Sequence, residues 1–143
     1  HSEPDVRIAV AAALLSCERP REALEQLGKV VAPVDAERAF KWEFIAGVAS
    51  YQIGEMMQSR NHFLRVHERT PTEPAALNNV GVLTAIVDQN FQRAMDYFNK
   101  AVTARPGYND AERNLCNVIN GSNDLRLTPR PLREALIHTK NYV

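Results

Sequence analysis

The side chains able to do chemistry are few and scattered. A hydrolase or transferase needs a nucleophile beside a base, a pair of acids or a glycine-rich phosphate loop, set in loops or at strand ends. The six glycines are dispersed along the chain, and no strand pattern supports such a loop. His62 and His67 lie five apart on one helical stretch, which turns them to different faces and argues against a shared metal. Cys17 and Cys116 lack zinc-type spacing. They are expected as small buried fillers on distant helices, too far apart for a disulfide. The residues thus predict no enzyme activity, no metal and no cofactor. One polar type does recur with order. Asn79 and Asn114 stand 35 apart, and Arg113, Asn117 and Asn120 fall at i, i+4 and i+7 along a single stripe. An asparagine amide both donates and accepts, so it can hold a peptide backbone whatever side chains that backbone carries.

Composition narrows the partner class. The chain has 143 residues, 45% of them hydrophobic, enough for one ordinary domain or about four helical hairpins. Seventeen basic residues balance seventeen acidic ones, so no global field argues for nucleic acid or an anionic membrane. No apolar run approaches the roughly 18 residues of a membrane span. The chain opens on His1-Ser2 and not on Met, so the lack of a secretory signal fixes no compartment. Cytoplasm and periplasm both fit.

The elements that must position the asparagines are helices. In the stretch from Ala76 to Pro106, apolar Leu77, Val80, Leu83 and Val87 recur at helical spacing. Asp88-Gln89-Asn90 supplies a turn and an N-cap, and a second stripe follows in Phe91, Ala94, Met95, Phe98, Ala101 and Val102. Pro106-Gly107 stops it. Two helices joined so tightly run antiparallel and close, which demands small residues at the crossing: Gly81, Ala94 and Ala101. Phe98 fills the wedge beside it. The same order appears earlier. Gly47, Ser59, Phe63 and Val66 sit on helices predicted over 36–53 and 55–69, with Pro71 just beyond the second, and Ala11, Ala23, Leu27 and Val30 sit on helices over 4–16 and 21–31. Phe63 to Phe98 and Pro71 to Pro106 are each 35 residues, and Ala23 to Ser59 is 36. Such periodicity marks a repeat architecture. Asp35 is read as a cap, and Trp42 as packing between helices.

These residues, ALNNVGVL followed by Ala94, Phe98, Ala101 and Pro106, resemble a tetratricopeptide (TPR) repeat. The gap from Gly81 to Ala94 is 13, one more than the family pattern, and is read as an extra residue in the turn. The resemblance implies an all-α fold: an α-solenoid of antiparallel helix pairs forming a single domain over 1–143. Three TPR units occupy about 2–34, 35–71 and 72–106, with a partial fourth and a C-terminal capping helix over 107–143. In the partial unit Asn109 with Glu112 is read as a capping pair, Gly121 as a helix end, 122–131 as a polar loop, and 131–140 as the cap.

The family's first helices line a concave face that holds extended peptides or partner helices. Here that implies Lys41, Phe44, Val48 and Tyr51, then Asn78, Asn79 and Val82, then Asp110, Arg113, Asn114, Asn117 and Asn120. The asparagines would grip backbone while Phe44, Val48 and Tyr51 accept an apolar anchor. A carboxylate clamp of the co-chaperone kind is disfavoured, because Ile8, Ala12, Ile45 and Ala75 stand where that sub-family has polar or basic residues. The leading expectation is a scaffold or adaptor binding another protein or peptide in the groove, with no nucleic acid. The alternatives are a self-associating structural part of a larger bacterial machine, such as a pilus or secretion apparatus, or a regulatory domain cut from a longer protein.

Overall fold

A computed structural model describes residues 3–31 and 35–130. Among them the protein is all-α, with no strand. The helices are α1 (Glu3–Ser16), α2 (Pro20–Gly28), α3 (Ala36–Gln52), α4 (Met56–Arg69), α5 (Pro74–Asp88), α6 (Phe91–Ala104) and α7 (Asn109–Ile119). Each falls within a few residues of the helix its apolar spacing predicts. No helix among the described residues is long and apolar enough to cross a membrane. The chain divides into two compact units between Val66 and His67, inside α4. The helix expected over 131–140 and the cap expected at Ser2 lie outside the described residues.

In the first unit α1 packs on α2 and α3, and α2 on α3. Ile8, Ala11, Ala23, Leu27, Val30 and Ala46 form its core, with Leu14, Leu15, Leu24, Trp42 and Ile45 against it. Asp35 caps α3, its carboxylate accepting the Arg38 amide at 2.8 Å. Trp42 packs between helices and donates its indole N–H to the Leu27 carbonyl at 3.0 Å. Gly47 on α3 meets Phe63 on α4: a Cβ added at Gly47 would lie 2.6 Å from the ring. Ser59 Oγ donates to the Gly47 carbonyl at 2.7 Å, which holds the same crossing closed.

Beside it Glu43 takes His62 Nδ1 at 2.8 Å and Arg65 Nε at 3.0 Å. Burial pushes the Glu43 carboxyl up, but the bonds from His62 and Arg65 outweigh it and hold the group below its ordinary value of 4.5. A depressed carboxyl stabilises the fold above the pKa of the unfolded chain, and that contribution is lost as pH falls through the folded-state value. Glu43→Gln should therefore cost about 1–2 kcal/mol at pH 7. In urea denaturation the gap from the native chain should shrink below pH 4.5. A gap independent of pH would show that the carboxylate charge contributes nothing.

In the second unit α5 packs on α6, and α7 packs on both. The α5 residues from Pro74 to Ala85 are all buried, polar Asn78, Asn79 and Thr84 among them. Gln89 turns the chain in the left-handed region, and Asn90 caps α6 by accepting the Arg93 amide at 3.0 Å. Gly81 and Phe98 repeat the relation of Gly47 and Phe63, again with an added Cβ only 2.6 Å from the ring.

Three expectations are corrected. Cys17 and Cys116 are exposed, not buried. Cys17 lies past the last turn of α1, and Cys116 is two residues beyond buried Asn114, which rotates it to the opposite side of α7. The start of α7 is one residue earlier than the Asn109–Glu112 pair implies: Tyr108 is the N-cap, with no side-chain cap bond, because its ring is anchored in the core. The third concerns residues 122–130. They are a mostly exposed loop, as expected, but one that buries Leu125 and Thr128 in the second unit, which the expectation of a polar loop did not include.

Candidate peptide-binding site

Gly121, at φ 77°, ends α7 in a conformation that glycine adopts without strain. The Ser122 amide closes the turn on the Asn117 carbonyl at 2.8 Å, and the chain comes back across the faces of α7 and α5. Asn117 Nδ2 donates to the Asp124 carbonyl at 2.8 Å. Asn114 then takes both backbone groups of Arg126: its Oδ1 accepts the amide at 3.0 Å and its Nδ2 donates to the carbonyl at 2.9 Å. Asn79 does the same two residues on, accepting the Thr128 amide at 2.7 Å and donating to the Thr128 carbonyl at 3.0 Å. In an extended chain the N–H and C=O of residues i and i+2 project from one edge, and a planar primary amide matches one such pair. Two asparagines from successive helical units thus read two alternate residues of one strand-like segment.

The segment buries two of its side chains, Leu125 and Thr128, three positions apart. Leu125 is buried among Val82, Ala85, Ala94 and Phe98, with Leu115, Val118 and Leu127 alongside. Arg126 points out, 3.4 Å from the Asp124 carboxylate. Thr128 is buried, and its hydroxyl is the hub of a polar cluster. Oγ1 donates to Asp110 Oδ2 at 2.7 Å, which leaves it to accept from the Tyr108 hydroxyl at 2.8 Å and from Asn78 Nδ2 at 3.2 Å. Asn78 Oδ1 in turn accepts from Asn114 Nδ2 at 2.8 Å, joining the two grips. Such a network is rigid when every member is satisfied.

Burial pushes the Tyr108 phenol up to about 12, with the Asp110 and Glu73 charges adding to it against the Thr128 bond. The phenol therefore stays a donor across the ordinary pH range. A group whose pKa is raised on folding contributes stability below its unfolded value, and loses it as pH rises through the folded one. For Tyr108 that window runs from 10.0 to about 12. The native chain should lose stability there relative to Tyr108→Phe, measured by urea midpoints at stepped alkaline pH. Parallel curves for the two chains would count against a buried phenolic donor.

The residues singled out from sequence fall into two groups. Asn78, Asn79, Val82, Asp110, Asn114 and Asn117 all meet the segment or the side chains that hold it. Asn78, Asn79 and Asn114 are buried, each amide already bonded within the chain. Arg113 and Asn120 are exposed, the latter ending α7. In the first unit Phe44 is buried against Phe40 and Phe63, at ring distances of 5.9 and 5.2 Å, and Val48 is buried as well. Lys41 faces Glu37 at 3.4 Å, and Tyr51 is half-buried. Sequence reasoning missed Tyr108, Leu125, Arg126 and Thr128. The available signal was the alternation Leu125-Arg126-Leu127-Thr128 between Gly121 and Pro129, the pattern of a half-buried extended segment. Compared with models of known protein families and with curated proteins, the chain matches none.

Proposed function

We propose that this protein is an interaction scaffold or adaptor that binds an extended segment of a partner protein, using the asparagine-lined face of α5 and α7. In this reading the helix pairs succeed one another as a TPR-like α-solenoid, and the face is its concave side. One observation carries the reading: Asn79 and Asn114, 35 residues apart, each take both backbone groups of one residue in a single extended segment. Side chains that bind backbone and not side chain suit a ligand defined mainly by conformation. The buried apolar seat of Leu125 adds an anchor site of the kind that dominates peptide affinity.

Selection of short displayed peptides against the full chain, followed by titration of those enriched, tests it. Enriched peptides should bind the native chain and lose at least about tenfold in affinity to Asn79→Ala and Asn114→Ala chains of unchanged helicity. Peptides that bind all three chains equally would place recognition elsewhere and defeat the reading.

A further inference from the structure

The seat for an extended segment is already filled, and what fills it is tethered a few residues from α7. We propose that Asp124–Thr128 is a resident competitor. The seat admits a partner segment with an apolar residue three positions before a threonine or serine only when Asp124–Thr128 leaves. This rests on the peptide-binding reading above and adds to it a ligand class and a gate.

The ligand class follows from the two side chains that the seat buries. Leu125 enters an apolar pocket walled by Val82, Ala85, Phe98, Leu115 and Val118, and Thr128 enters a polar one three residues later. The second pocket is built for a hydroxyl. Asp110 Oδ2 accepts at 2.7 Å, while the Tyr108 hydroxyl and Asn78 Nδ2 donate at 2.8 and 3.2 Å, and among uncharged side-chain groups a hydroxyl answers all three at once. A valine of the same shape would leave the buried Tyr108 hydroxyl and the partly buried Asp110 carboxylate without this partner, while Asn78 Nδ2 keeps Asn79 Oδ1 and the Arg126 carbonyl at 3.3 Å each. Sites built to bond a hydroxyl reject the analogue lacking it. Between the pockets Arg126 is exposed, and α7 holds it only through its backbone, its guanidinium meeting Asp124 of the segment itself, so the seat leaves that side chain unrestricted.

The gate follows from the tether. Only Asn120, Gly121, Ser122 and Asn123 separate α7 from the segment, and the Ser122 amide is fixed on the Asn117 carbonyl at 2.8 Å. A short tether gives an effective concentration of millimolar order or above, which a dilute partner must exceed. Lengthening the tether lowers that concentration without touching a contact in the seat.

The test uses the full chain with about twenty Gly/Ser residues inserted between Ser122 and Asn123, and as probe a fluorescent peptide of the sequence 123–130, NDLRLTPR. Anisotropy titration should show the probe binding the extended chain at least about tenfold more tightly than the native chain. Leu125→Asp in the otherwise native chain, which expels the apolar anchor, should give the same gain. Replacing threonine by valine in the probe should cost at least tenfold, and serine should retain binding. Equal probe affinity for the native and extended chains overturns the gate, and so does a dimer of the extended chain in which a second copy's segment fills the seat. A valine probe as good as the threonine one overturns the ligand class. If displayed peptides still bind through Asn79 and Asn114 in those cases, the scaffold reading stands while this inference falls. If no peptide binds the native or the extended chain, both fall.

Discussion

Asn114→Asp is expected to release the segment 124–128 and to lower stability by about 3 kcal/mol at pH 7, although the two side chains have the same shape. Asn114 accepts one bond and donates two: its Oδ1 takes the Arg126 amide at 3.0 Å, and its Nδ2 gives to the Arg126 carbonyl at 2.9 Å and to Asn78 Oδ1 at 2.8 Å. Aspartate keeps the acceptor and loses both donors. It also sets a carboxylate oxygen against two other oxygens in a buried site, and each orphaned buried group costs about 1–3 kcal/mol. The new carboxyl can escape only by protonation, so its pKa in the folded chain must rise above the unfolded value. Its destabilising effect is therefore full at neutral pH and fades as pH falls below the folded-state value. The carboxyl contributions differ in sign, since acid relieves a cost at position 114 and removes a stabilisation at Glu43. In both cases the gap between variant and native chain narrows as pH falls. Urea denaturation of the native, Asn114→Asp and Asn114→Ala chains at pH 7 and at about pH 5 separates the contributions. Only the aspartate chain should recover in acid, and only the native chain should protect the Arg126 and Thr128 amides from hydrogen exchange. An aspartate chain as stable as the native one at pH 7 would mean that the amide's donors are dispensable.

The legible and illegible parts of this fold differ in the range of the interaction that encodes them. Gly47 with Phe63, and Gly81 with Phe98, are local pairs within a helix–turn–helix stretch. A missing Cβ facing a large ring at fixed spacing is visible in sequence, and each pair meets at a crossing as its spacing predicts. The cap at Asn90 and the stop at Gly121 are local too. Helical phase places Asn79 and Asn114 alike, so the sequence puts the asparagines on a common face. What covers that face was not legible. The bonds that settle it join residues as far apart as Asn79 and Thr128, and helical phase says nothing about a segment that leaves the helix. Its own signal is only two leucines in alternation within a polar stretch, too short to outweigh the turn residues at either end. Cys116 shows the converse error. Residue type favoured burial, while its phase relative to Asn114 already pointed it outward.

The same crossing supplies the largest expected effect. Phe98→Ala should cost about 3–5 kcal/mol, since the ring is fully buried and its removal leaves a cavity between Gly81, Ala94 and the Leu125 side chain. Gly81→Ala is the informative counterpart, because two effects of similar size oppose each other. Alanine in a helix interior gains about 1 kcal/mol over glycine. Its Cβ, however, would stand 2.6 Å from Phe98 Cε1 and 3.1 Å from Tyr97 Cβ, and overpacking of this kind costs about 1–3 kcal/mol. The ring has nowhere to turn, being closed in by Val82, Ala85 and Leu125, so the clash should win and Gly81→Ala should destabilise. Shortening the ring tests the cause. In Gly81→Ala/Phe98→Leu the branched aliphatic side chain clears the new methyl, and the helix gain survives. The double variant should therefore be more stable than the sum of the single effects by about 1 kcal/mol or more, read from a four-chain denaturation cycle. Additive effects would mean that glycine serves backbone geometry at position 81 and not the approach of Phe98. Because Phe98 also walls the Leu125 pocket, the Phe98→Ala chain should lose protection at Thr128 as well, which ties the crossing to the seat it supports.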